Sequence, residues 1–226
     1  MESYEQRVRV FYDSALHCYQ AIMGDRWHHA DPDALAAGLP RLRGCEILEE
    51  RIVSLLGIQA GARVLDFGSG IGGPTLHMAR TTSATFFESV CHVPDKAALF
   101  RELARVVKPG GRLGGMDWIQ RPFGEHQTDA AIEALMQPVN DAISIPWHGT
   151  VERYRDLMTD AGFAVKIARD LYPNVRCWSP VQDDETPAWA TYTGPEQQMF
   201  RRGEEALANA RRAGVFTIGM WIATRR

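Results

Sequence analysis

Apolar residues at Val8, Phe11, Tyr12, Ala15, Leu16, Tyr19, Ile22 and Met23 recur at spacings of three and four, the period of one apolar stripe along a helix. Gly24 closes that helix. The loop GDRWHHADPDALAAGLPRLRG follows, and a second helix begins at Cys45 with Ile47, Leu48, Ile52, Leu55 and Leu56 on one face. At GARVLDFG the pattern switches to a short apolar run of the kind buried parallel strands show. Pro74 suits a first helical turn, where its missing N–H costs nothing. Asp95 caps the next helix, KAALFRELARVV, which stops at KPGG before the strand RLGGMDWI. Helices near Thr128 to Asp141 and Thr150 to Ala161, a strand AVKIARDL, a long polar helix from Pro195 to Ala213 and a last strand VFTIGMWIAT complete the chain. Strand and helix in alternation predict an α/β fold, a Rossmann-like doubly wound sheet, with a helical cap over residues 1–60 and the core over 61–226.

Length and charge narrow the function. The 226 residues suffice for one such domain with its cap, and 45% hydrophobic with 23% charged residues is ordinary for a globular protein. A net charge of −3 gives no field for gathering phosphate backbones, so nucleic acid is not an expected partner. The four cysteines are far apart without a CxxC pair, and the N-terminus lacks an apolar leader, so reduced thiols in a cytoplasmic protein are expected. No run approaches a membrane span. The 195–213 helix could serve a homodimer interface or stand in solvent.

Gly68, Gly70 and Gly73 satisfy GxGxxG between a strand and a helix, which by itself equally permits a dinucleotide enzyme. Asp66, two residues before the first glycine, gives D-F-G-S-G-I-G, and with the later ELARVVKPGGRL the chain resembles the class I S-adenosylmethionine-dependent methyltransferases. That resemblance runs from about Ile52 to the C-terminus and implies a mostly parallel sheet with an antiparallel last strand. It places S-adenosylmethionine, and its product S-adenosylhomocysteine, on Asp66, Gly68, Ser69, Gly70, Ile71 and Gly72, while Tyr12, Trp27 and His28 resemble the tyrosine and W-H features of related small-molecule methyltransferases and are expected as lid and cofactor contacts. Physically, glycines allow close backbone approach, and a carboxylate can order the loop or receive the cofactor's amino group.

The same resemblance exposes a shortfall. In that fold the second strand ends in an acidic residue gripping the ribose, and a polar residue after the third lies beside adenine. Between Asp66 and Glu88 there is room for only one helix and one strand. TTSAT reads like the start of the second strand and FFESVCHVPD like the end of the fourth, so strands two and three are missing and the join falls near 85–87. Residues left out of the sequence are the expected cause, because a cofactor pocket without its outer half is a poor product of selection; a genuine deletion is the other, since strands one and four are neighbours in this fold.

Methyl transfer from a sulfonium is an in-line displacement, so placing the acceptor and excluding water are the main tasks. An alkene acceptor also needs a negative or π-rich surface for the carbocation, and then a base. Glu88 and His92 stand where open α/β sheets bind ligands. Their E-x-x-x-H-x-P pattern is similar to sterol and tocopherol methyltransferases, and Glu88 matches the glutamate of prenyl diphosphate C-methyltransferases. The resemblance makes Glu88 the cation stabiliser and base, with His92 orienting substrate or sharing the proton; alternatively both serve local structure. Trp118, Phe123, Trp147, His148, Tyr154 and Trp178 are candidates to wall a hydrophobic pocket, with Trp118, Trp147, His148 and Trp178 taken as substrate contacts. The run His28-His29-Ala30-Asp31 reads as a solvated cap rather than a metal site, and Mg²⁺ enters only with a diphosphate substrate. The expected reaction is methylation of a small terpenoid or prenyl-like carbon; O- or N-methylation of a small metabolite, a noncatalytic ligand-binding protein and a nicotinamide enzyme are the alternatives.

Overall fold

A computed structural model describes residues 3–57, 64–70, 72–74, 86–121, 128–177, 193 and 197–226. Helix α1 (Tyr4–Met23) starts in a capping box, Ser3 accepting from the Gln6 N–H while the Gln6 side chain accepts from the Ser3 N–H. It ends at Gly24 and buries Phe11, Ala15 and Cys18. A short helix α2 (Pro32–Ala36), capped by Asp31, lies inside the segment read as loop. Helix α3 (Arg41–Leu56) begins four residues before Cys45, because its first turn is polar and leaves no apolar period to read. Gly57, in the left-handed region at φ 56, ends it.

Next come β1 (Phe86–Phe87), a 3₁₀ turn at Val90–His92 and α4 (Lys96–Val106), which Asp95 caps by accepting from the Ala98 N–H. Strand β2 (Arg112–Gln120) precedes α5 (Asp129–Ile143) and α6 (Val151–Asp160), capped by Thr128 and Thr150. Strand β3 (Phe163–Asp170), α7 (Gln197–Arg212) and β4 (Phe216–Arg225) follow.

The sheet order is β1-β2-β4-β3, with β1 parallel to β2 and β4 antiparallel to both of its neighbours. Phe67, at the end of the 64–67 segment, bridges Phe86 in parallel on the outer side of β1. The first strand of the glycine-loop unit therefore lies beside the one carrying Glu88, as expected for strands one and four. Only eleven residues, 75–85, separate Pro74 from Phe86, and they lie outside the described residues, as does the N-terminal side of the proposed join.

Both faces of the sheet are covered, which is why β4 is buried along most of its length. Phe216, Ile218, Met220 and Ile222 pack with residues of α1, α3 and α5 on one face. Trp221 and Ala223 pack with Phe100, Tyr154 and Phe163 on the other. The four cysteines are buried and none is in a disulfide. Among the described residues no helix is long and apolar enough to cross a membrane, and no cluster of metal-ligating side chains is found.

Candidate active site

The parallel pairing of β1 ends where the Glu88 N–H donates to the Met116 carbonyl at 2.9 Å. Glu88 then adopts φ 49, a left-handed conformation uncommon for a residue with a side chain. Its carboxylate is buried and held at both oxygens. Oε1 accepts from the His29 backbone N–H at 2.8 Å and pairs with His29 Nδ1, while Oε2 accepts from Trp118 Nε1 at 2.7 Å. Burial alone would raise this carboxyl's pKa; the charge and hydrogen bonds of His29, with the charge of His28, outweigh it and leave the pKa below its ordinary value.

One turn on, His92 is fixed from two sides. Nδ1 faces the Ser144 carbonyl at 3.4 Å, which can only accept, so Nδ1 carries the proton and Nε2 accepts from the Tyr12 hydroxyl at 2.6 Å. Tyr4 ties the same turn to α5 by donating to the carbonyls of His92 and Ser144. Burial lowers the His92 pKa to about 4, so the ring is neutral near pH 7. No hydrogen bond joins His92 to Glu88 among the described residues. Tyr12, expected as a lid and cofactor contact, has its hydroxyl on His92.

Beneath the turn, Lys96 is completely buried and donates to the carbonyls of Cys91, Val93 and Trp147. Its ammonium lies 4.1 Å from the Trp147 ring centroid, and Trp147 Nε1 donates to the Pro94 carbonyl. Trp147, expected at the substrate, thus has its N–H and one ring face engaged in holding the loop. His148 differs. Its Nδ1 faces Asn140 Oδ1 at 2.6 Å, and its Nε2 is buried without a partner among the described residues. Burial lowers its pKa to about 3. Its ring meets Phe216 edge to face at 6.1 Å, and Phe216 meets Trp118 likewise at 5.0 Å, so an aromatic wall connects Glu88 with His148.

The glycine loop lies against this turn and under the cap. Gly68, Gly70 and Gly72 all have positive φ, the conformation that requires them. A Cβ at Gly68 would lie 2.3 Å from the Ser89 Cβ, and Ser89 Oγ donates to the Phe67 carbonyl. A Cβ at Gly73 would lie 1.8 Å from the Asp25 carbonyl oxygen, and one at Gly70 would touch Trp27. The structure therefore places Trp27 against the glycine loop. Ser69 closes the turn by accepting from the Gly72 N–H, and Asp66 is half-buried at the strand end. Ile71 and Trp178 lie outside the described residues.

The HHAD segment is not the solvated cap expected from its polarity. His28 is buried, and its ring nitrogens face the Glu49 carboxylate at 2.9 Å and the His29 carbonyl at 2.8 Å. Arg26 also reaches Glu49, and Arg41 donates to the carbonyls of Met23, Arg26 and His28. Reading the sequence missed His29; the signal was a histidine doublet next to a tryptophan, which composition alone sends to the surface.

A family model described as a methyltransferase domain matches residues 82–114, the stretch holding Glu88, His92, Lys96 and the start of β2. That match spans 33 of the 226 residues. The chain's relatives are enzymes of that class. Methyltransferase GfsG of Streptomyces halstedii is 24% identical, with 94% of this chain and 89% of that protein covered. Sterol 24-C-methyltransferase of Saccharomyces cerevisiae is 23% identical over 86% of this chain, which spans 60% of that protein. Among solved structures, geranyl diphosphate C-methyltransferase from Streptomyces coelicolor, in complex with Mg²⁺, geranyl diphosphate and S-adenosylhomocysteine, superposes with a TM-score of 0.67 at 19% identity, covering 99% of this chain and 98% of that one. The alignment to the Streptomyces halstedii protein runs over 263 positions but uses 94% of 226 residues, about 212, so about fifty positions face no residue here.

Proposed function

We propose that this domain transfers a methyl group from S-adenosylmethionine to a carbon of a small hydrophobic acceptor of terpenoid or prenyl-like character. Supporting this reading is the Glu88 carboxylate, buried, ionised and oriented at both oxygens beside an aromatic wall and one turn from the glycine loop. The glycine loop and Asp66 fit the aminoacyl end of the cofactor, which when bound supplies an electrophilic methyl on a sulfonium. Glu88 then has two tasks. It stabilises the carbocation formed when the acceptor's double bond takes the methyl, and it accepts the proton lost from the adjacent carbon as the double bond re-forms. Trp118 and Phe216 offer π faces to the same charge and help exclude water, while His92 and Tyr12 hold the turn. Mg²⁺ would enter only on the oxygens of a diphosphate-bearing acceptor. In this reading residues 1–60 are the lid and 61–226 the transfer core.

Deuteromethyl-labelled S-adenosylmethionine with prenyl and aromatic acceptors, analysed by mass spectrometry, tests this. Label on carbon, lowered ~100-fold or more in Glu88→Gln, is the expected result; native turnover in Glu88→Gln would contradict the assignment.

A second reading, O-methylation, is favoured by His148 alone: its unprotonated, partnerless Nε2 is the acceptor a substrate hydroxyl would need. Label on oxygen, lost in His148→Phe and kept in Glu88→Gln, would select it.

A further inference from the structure

Resting on the proposed role of Glu88, we infer that His29 is a positioning residue for that carboxylate: the cap delivers the group that keeps the base ionised and fixes its orientation. His29 contributes two contacts to one oxygen, from its backbone N–H and from ring Nδ1, while Trp118 occupies the other oxygen. With both oxygens held, the carboxylate cannot rotate without breaking a charge-assisted bond. The His29 side chain is 14% exposed and that of Glu88 7%, so the pair is largely screened from water.

His29 is itself held. His28 donates to the His29 carbonyl and pairs with Glu49 on α3, so a continuous set of bonds runs from α3 through the cap segment to the end of β1. The His29 ring also lies 5.8 Å from that of Trp118, placing both donors on the same side of the site.

Besides the cap, the neighbouring cation is Lys96, whose ammonium is spent on the carbonyls of Cys91, Val93 and Trp147, whereas the charges that lower the Glu88 pKa are those of His29 and His28. Tyr12 and Tyr19 from α1, Cys45 from α3 and Cys91 from the turn are pushed up by burial and stay neutral. So do Tyr172 and Cys177 after β3. His92 is neutral near pH 7 and Asp117 on β2 can only add negative charge. That leaves His29 and His28, of which His29 makes the direct bonds.

The test follows the Glu88 carboxyl itself by ¹³C NMR in glutamate-labelled protein, its signal assigned by loss in Glu88→Gln. In His29→Ala the backbone bond remains and the ring is lost, so the carboxyl should titrate about one pH unit or more higher than in the native protein. His29→Asn, which places an amide N–H near the position of Nδ1 without the charge, should give a smaller shift in the same direction and serves if the alanine variant does not fold. An unchanged titration in the variant that folds would overturn the inference. Because this readout needs no turnover, failure of methyl transfer would strike the proposed function and leave the positioning role to be decided by the titration. Where turnover is measurable, the acid limb of kcat should rise with the carboxyl.

Discussion

The turn at Glu88 and the glycine loop, the proposed acceptor and cofactor sides, are built differently. On the acceptor side, Glu88 and His92 draw their partners from residues 59 and 80 positions away, so cap and sheet close as one unit. On the cofactor side, the described contacts are a local turn, one strand bridge and the cap backbone lying on Gly73. Val64 and Leu65, in an apolar run that elsewhere in such a sheet would be covered, are 40% and 53% exposed. Among the described residues, the side chains of Glu88 and His92 are held by contacts distant in sequence, whereas the glycine loop is held mostly by local ones.

Substitutions should reproduce that contrast in size. The largest effect is expected for Glu49→Ala, which strips Arg26 and His28 of their buried carboxylate; urea unfolding should show a loss of about 3–5 kcal/mol. Asp117→Asn should act with a pH dependence of opposite sense. Burial pushes the native Asp117 carboxyl up to about 7, so the folded protein keeps a proton the unfolded chain has released. Native stability is therefore lost as pH rises from 3.8 toward 7, and the asparagine variant should gain roughly 2 kcal/mol relative to native between pH 5 and pH 8. A flat difference would remove Asp117 from the account. Tyr12→Phe leaves His92 Nε2 without its donor and should cost about 1 kcal/mol. On the other side, Leu65→Ser should stay within about 0.5 kcal/mol, because the side chain already faces solvent. A loss as large as that of Glu49→Ala would show that the cofactor side is packed as tightly as the acceptor side.

How far the sequence was legible follows the same division. Caps and periods are local, so Thr128, Thr150, Asp95 and Gly24 marked helix ends that the structure keeps. The antiparallel last strand and the neighbouring of strands one and four came through resemblance and are present. Helix α2 was hidden in a loop-like composition, although Asp31-Pro32 is a helix start. The contact of Trp147 with Lys96 was not legible, because the two are fifty-one positions apart. His29 was hidden for the same reason: polarity is read locally, whereas its burial depends on Glu88 and Trp118 from two different strands.

The central claim of the proposed function is that the glycine-loop side holds S-adenosylmethionine. Calorimetric titration of the native protein with S-adenosylhomocysteine tests it most directly, with Asp66→Ala alongside. The account predicts saturable binding at one site per chain, weakened by Asp66→Ala. No binding at millimolar ligand by a folded protein would contradict it and make this domain a ligand-binding relative of methyltransferases rather than a working one.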